Sequence, residues 1–348
     1  MTHPPSSRKD PRKPGTSRFW LFAPFIILIT LAAGYYVFWD YLGKRILTEV
    51  KKAGLNYTSA QQTGFPTKLS IVLDKPTYQD ASFKWGAGSI DVNLMPFNDE
   101  HTIVIFSDQH EVGLSLGDLN YDFAENIASA KLGIDGLKQI DLTLSEAKIL
   151  GKMGYVSLDA SAQNNEVHIR RNPEVTQQAD FIYESDAIRL GSRANIDTLK
   201  LEADFPMDWL QVPNQWALDL RAGKSVNIRS LDIIDRDLDL TMHGTIGVDA
   251  QDRLLGKLKM QANSLRALFD RLQALGIVKA KAVRELNSLS RLSQLFGGKA
   301  DTKAKINLEF KDGKSYLGKI PIGPAPRMPL PEKRQKTQAA SSRSFSPI

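Results

Sequence analysis

Residues Phe19 to Trp39 run for 21 positions without a charged side chain. A bilayer offers the backbone no water, so such a run is stable there only as a helix whose N–H and C=O groups bond one another. At about 1.5 Å per residue it rises about 30 Å, one hydrocarbon core. Phe19 and Trp20 mark one end, and Tyr35, Tyr36, Phe38, Trp39 and Tyr41 the other. Aromatic rings of this kind settle at the headgroup level. Pro24 falls early enough in the helix for its missing N–H to cost little. A cleaved signal peptide is the competing reading, with a shorter apolar region and a small-residue cleavage site. Here Ala32, Ala33 and Gly34 are followed by five more aromatic or apolar residues, so an uncleaved signal anchor is expected. Five Lys/Arg precede the run, against Lys44, Arg45, Lys51 and Lys52 after it. The positive-inside rule then puts the N-terminus in the cytoplasm by a narrow margin, with the rest of the chain outside.

Beyond the apolar run, residues 40–53 read as a continuing helix stopped by Gly54. From Leu55 the dominant period is two. Leu69, Ile71 and Leu73 share one face, as do Ile90, Val92 and Leu94, then Val112, Leu114 and Leu116. The pattern recurs at Ile140, Leu142, Leu144; at Val156, Leu158, Ala160; at Val167, Ile169; at Leu199, Leu201, Ala203; at Leu238, Leu240, Met242; and at Ile306, Leu308, Phe310. One apolar and one polar face per strand is the mark of half-buried antiparallel sheet. Asp135-Gly136, Asn164-Asn165 and Asp312-Gly313 read as turns between these runs. The strands follow too closely for a crossover helix between each pair, which argues against a parallel α/β sheet.

Two helices are expected late in the chain. Asn263 or Ser264 caps the first, which carries Leu265, Leu268, Phe269, Leu272 and Leu275 at helical spacing and stops at Gly276. The second covers about 277–296 and ends at Gly297-Gly298. Both are expected to cover a sheet face, a free membrane-surface helix being the lesser reading. Residues 205–223, with Trp209 and Trp216, read as a loop with a short helix pinned to the core. The fold ends in the proline-rich PIGPAPRMPLP, and the tail beyond reads as disordered.

The net charge of +6 sits in the two tails: residues 1–18 and 327–348 each hold five basic residues against one acid. The folded part is nearly neutral, so no basic face for nucleic acid is expected. The tails read as solvated disorder, with weak attraction to anionic headgroups as the sharper alternative. The chain has no cysteine, which excludes disulfides and thiol chemistry and fits an oxidising compartment.

The motifs with chemical content are weak. Gly113-Leu114-Ser115-Leu116-Gly117 matches the nucleophile elbow, but that chemistry needs Ser on a sharp strand-to-helix turn, and the alternation puts Ser115 mid-strand. His101 and His110 lie near Glu100, Asp108 and Glu111 without the spacing of a helical ligand pair, and read as solvated hairpin residues. His168 shares the outward face with Glu166 and Arg170, and His243 before Gly244 is uninformative. No carboxylate pair has acid–base spacing, and no Walker loop or GxGxxG occurs. No catalytic residue, cofactor site or metal site is therefore assigned.

The anchor, Gly54, Gly64-Phe65-Pro66, the stretch His243 to Asp249 leading to Gly256-Lys257-Leu258, and the closing Asp312-Gly313, Leu317-Gly318 and Ile320 to Pro326 belong together. They resemble a family of proteobacterial envelope proteins catalogued as a domain of unknown function. The resemblance covers most of residues 19–326, and the basic tail after Pro331 is extra. More distantly, the arrangement is similar to AsmA-like envelope proteins, which join an inner-membrane anchor to a long curved sheet with an apolar concave face and are thought to move or sequester lipids. The resemblance implies no activity to carry over.

The expected fold is mainly β (α+β): a large twisted, curved antiparallel sheet with a C-terminal pair of helices, after one N-terminal transmembrane helix. The expected layout is a cytoplasmic basic tail (1–18), a transmembrane signal anchor (19–39), an extracytoplasmic strand-rich domain (40–323) and a disordered basic tail (324–348). The expected location is the bacterial inner membrane, single-pass, with the main domain in the periplasm. Two functions fit: a non-enzymatic protein holding lipid or another hydrophobic ligand, or a structural or assembly factor that binds another envelope protein. An enzyme comes third for want of a site, and nucleic acid is not an expected partner.

Overall fold

The computed structural model describes residues 19–79, 83–95, 98–114, 117–133, 136–153, 156–191, 194–211, 215–274, 304–328 and 330. The chain divides into two compact units between Glu49 and Val50. The first contains most of helix α1 (Phe19–Lys52), which is long and apolar enough to cross a membrane. The expected membrane helix and the helix after it are thus one element of 34 residues. It stops where Gly54 takes φ +88° and donates its N–H to the Lys51 carbonyl at 3.0 Å, satisfying a terminal acceptor.

The second unit is one antiparallel sheet, with 20 strands among the described residues. Its first part holds β1 (Leu55–Asn56), β2 (Ser59–Thr63), β3 (Leu69–Asp74), β4 (Thr77–Gln79), β5 (Phe83–Ala87), β6 (Ser89–Met95), β7 (Asn98–Phe106), β8 (Gln109–Leu114), β9 (Gly117–Asp122) and β10 (Glu125–Gly133). Four long strands follow: β11 (Gly136–Met153), β12 (Val156–Arg171), β13 (Gln178–Leu190) and β14 (Ala194–Pro206). The last part holds α2 (Asp208–Gln211), α3 (Gln215–Arg221), β15 (Val226–Asp235), β16 (Leu238–Val248), β17 (Leu254–Ala262), α4 (Leu265–Ala274), β18 (Ala304–Lys311), β19 (Lys314–Leu317) and β20 (Ile320–Pro324).

From β11 to β20 each strand pairs with the next in sequence. Before β11 the sheet forks. Gly136 to Ser145 of β11 pair with β10, and Lys148 to Gly151 pair with β9. The switch falls at Glu146, whose φ of +49° bends the strand. One branch continues through β10, β7, β6, β3 and β2. The other continues through β9, β8, β5, β4 and β1.

Register gathers the apolar side chains on one face. Ile71, Val92, Val104, Ala128, Leu142, Val167, Tyr183, Leu201, Leu231, Met242, Met260 and Ile306 are successive cross-strand partners. At about 4.8 Å per strand this row runs about 50 Å across the sheet. The opposite face is charged. Arg229 lies 3.2 Å from Asp204 and 3.6 Å from Asp180, Arg170 lies 3.1 Å from Asp180, and Lys200 lies 2.7 Å from Glu184.

Two expectations change. Asn164 and Asn165 lie inside β12 and make no turn. Asn165 is buried, donates to the Leu144 carbonyl, and accepts from Tyr183 and Ser185. Residues 205–223 hold two short helices, where one was expected. Trp209 donates to Asp219 at 2.8 Å and stacks on Phe205 at 5.8 Å, so the segment is pinned as expected. The second late helix, 277–296, lies outside the described residues. Asp312-Gly313 does form the β18–β19 turn, with φ of +54° and +70° at its two central residues.

Candidate functional site

The inner face is covered differently at its two ends. At the C-terminal end α4 lies over β15–β20. Ser264 caps it, its Oγ accepting the Ala267 N–H at 3.1 Å. Asn263 ties the helix start to the β15–β16 turn, accepting the Asp239 N–H at 2.8 Å and donating to the Asp237 carbonyl at 3.3 Å. Arg271 clamps its last turn through an ion pair with the buried Asp235 at 2.5 Å. Phe269 is fully buried, and Leu268 is buried beside it.

Beneath α4 the packing leaves a cavity of ≈ 680 Å³. Met242, Met260, Leu308 and Phe310 wall it from the sheet, Leu268 and Leu272 from the helix, and Ile322 from β20. Among the described residues, the only polar side chain in its lining is Ser315, whose hydroxyl donates to the Pro324 carbonyl at 3.2 Å. Two glycines in neighbouring strands lie in this part of the sheet. Gly244 has φ +147° and Gly256 has φ +139°; a Cβ would run into the Lys257 and Thr245 carbonyl oxygens respectively. Only glycine is tolerated at such positions, and strands kinked this way bend.

At the fork, residues from both branches surround His110, which is 7% exposed. Trp85, Phe106 and Phe123 place their rings 5.8, 5.7 and 5.5 Å from the imidazole. The Trp85 indole N–H donates to Nδ1 at 3.2 Å, while Nε2 meets the Ser107 carbonyl at 2.9 Å and the Asn126 amide at 3.1 Å. Burial holds the His110 pKa below its ordinary value of 6.5, against the pull of the Ser107 carbonyl. A smaller cavity of ≈ 230 Å³ lies among these rings and against Leu142 and Leu144 of β11.

The expectation that His110 is solvated is therefore overturned: alternation within β8 turns it between the two branches, where Trp85 and Asn126 satisfy its nitrogens. His101 stays half-buried in β7, on another strand. His168 does lie on the charged face, 2.8 Å from Asp141 and 3.3 Å from Glu166, and the Asp141 carboxylate raises its pKa. His243 pairs with Lys259 in the ladder. Ser115 and Leu116 lie outside the described residues. β8 ends at Leu114, which pairs with Gly117 of β9, so the next described element is a strand where an elbow needs a helix. Among the described residues no three His, Cys, Asp or Glu side chains gather in a way that could hold a metal. The cavity and the His110 cluster were not read from the sequence. The available signal was His110 in step with Val112, two residues along a strand.

A family model described as "Uncharacterized protein conserved in bacteria" matches residues 52–326. No curated protein matches the chain, and no solved structure does.

Proposed function

Starting from the premise that this chain belongs to the uncharacterized bacterial family DUF2125, we propose that it is a non-enzymatic, membrane-anchored binding protein that holds an acyl chain of a lipid in the cavity beneath α4. The observation that carries this reading is the cavity itself. Its volume of ≈ 680 Å³ falls within the roughly 300–1,000 Å³ of small-ligand sites. Each methylene moved from water into such walls contributes about 0.8 kcal/mol. Among the described residues the walls offer a charged or strongly polar ligand no partner, so apolar chains are selected. In this reading α1 is the anchor, the strand-rich domain faces the periplasm, and the membrane supplies the ligand at high local concentration.

The test is displacement of a fluorescent, uncharged acyl-ester probe from the full-length protein, compared with Leu272→Trp, which fills the cavity from the half-buried last turn of its helical cover. The expected result is at least tenfold weaker binding with an unchanged melting temperature. Undiminished binding would overturn the assignment of the cavity. Absence of binding to wild-type protein would favour the assembly-factor reading.

A further inference from the structure

The folded part is nearly neutral as a whole, but its charge is unevenly spread over the outer face of the sheet. On the central strands the basic side chains meet acids: Arg229 lies 3.2 Å from Asp204, and Lys200 lies 2.7 Å from Glu184. Behind the cavity under α4 they do not. Alternation in β17, β18 and β19 turns Leu258, Met260, Leu308 and Phe310 inward. It turns Lys257, Lys259, Lys305, Lys311 and Lys314 outward, and all five lysines are exposed. None of the five makes an ion pair among the described residues.

Register gathers these lysines into one patch. Lys311 and Lys314 are direct cross-strand partners beside the β18–β19 turn. Lys259 stands opposite Asn307, a diagonal step from Lys305, and Lys257 stands opposite Glu309, a diagonal step from Lys311. Direct partners lie about 5 Å apart and diagonal ones about 7–8 Å. Both spacings are below the Debye length, about 10 Å at 0.1 M salt, so the fields of the five add. Their acidic neighbours are Glu309 in the ladder and Asp312 in the turn. Like charges directly opposite destabilise a sheet, so the fold gains nothing from Lys311 facing Lys314, whereas a bound polyanion would. A lysine ammonium is a point charge without the fork that grips one phosphate in two places, which suits a field of many headgroups. α1 is long and apolar enough to cross a membrane, so a bilayer is the polyanion to which this chain is already tethered.

We propose that the outer face of β17–β19 is a docking surface for the anionic headgroups of a lipid bilayer, which would seat the α4 cavity one sheet thickness from the bilayer surface. The proposal stands on charge and register and does not depend on what the cavity holds.

The experiment measures co-flotation of the full-length chain, held in peptidiscs, with vesicles of phosphatidylcholine alone or mixed with an equal part of phosphatidylglycerol. The patch variant combines Lys257→Gln, Lys259→Gln and Lys305→Gln. A control combines Lys84→Gln, Lys148→Gln and Lys200→Gln, which remove the same charge from exposed or ion-paired positions on other strands. Each lysine near an anionic surface is worth about fivefold in partitioning, so wild type is expected to prefer the anionic vesicles by at least about a hundredfold. The patch variant should lose about that factor, and the control about twofold or less. Equal losses in the two variants would assign the preference to net charge and overturn the docking face, as would the absence of any preference in wild type. Tighter binding of wild type to a DNA duplex than to the anionic vesicles would overturn the choice of partner. Circular dichroism melts identify a variant that fails to fold, in which case salt decides. Raising it from about 0.1 to about 1 M shortens the Debye length from about 10 to about 3 Å. Loss of wild-type flotation at the higher salt supports the proposal, and flotation that survives overturns it.

Discussion

At its C-terminal end the sheet buries its apolar face under a helix; at its N-terminal end it forks, and side chains from both branches meet. The helix is a short cylinder over the sheet, and the residues facing it include flexible Met and Leu, so a large apolar space remains. The fork is filled by flat aromatic rings, which pack closely but bring a histidine and an asparagine into the interior. Covering by a helix thus leaves volume, whereas covering by strands leaves chemistry.

Substitutions at the two ends separate these roles. Phe269→Ala, at the most buried contact of α4, is expected to cost about 3–5 kcal/mol. Hydrogen exchange should show the loss in α4 and β16–β18, with fork amides still protected. Equal loss at both ends would show that the two covers fold as one. Gly244→Ala meets both a forbidden φ and the Lys257 carbonyl, and is expected to cost about 3 kcal/mol by denaturant titration. Gly247→Ala in the same strand, where φ is ordinary and the nearest atom is 3.2 Å away, should cost about 1 kcal/mol. Equal costs would remove the argument that the bend requires glycine. At the fork, Trp85→Phe keeps a ring and deletes the N–H held by His110, for an expected loss of about 1–2 kcal/mol.

The smallest effects are two pH dependences of opposite sign. Burial lowers the His110 pKa, so its stabilising contribution is present above 6.5, the unfolded value, and is lost as pH falls from there through the folded value. The Asp141 carboxylate raises the His168 pKa, so its contribution is complete below 6.5 and is lost as pH rises through the folded value. His110→Gln should flatten the acid side of the stability profile, and His168→Gln the side above 6.5. Thermal melts from pH 5 to 8 check both, and identical profiles for the two variants would contradict the placement of the rings.

Local features were legible in the sequence. The uncharged run, Gly54 as a stop, Ser264 as a cap, the Asp312-Gly313 turn and the period-two strands all act within a few residues of the chain. Non-local pairing was not legible. The fork depends on β10 returning to β7 while β9 reaches β11, and alternation alone does not choose a partner. Asn165 resembled a turn residue because its acceptors and donors, Leu144, Tyr183 and Ser185, come from neighbouring strands. His110 looked solvated for the same reason: its burial is made by Trp85, 25 residues away, and Asn126, 16 residues away. The cavity under α4 was hidden because strand period sets which side chains face inward, not whether they meet.

Mass spectrometry of lipid extracted from the purified full-length protein tests the central claim most directly, with an unrelated single-helix membrane protein as the control. The account predicts near-stoichiometric lipid above that control, removed by Leu272→Trp. A folded, monodisperse protein carrying no lipid above the control would contradict it.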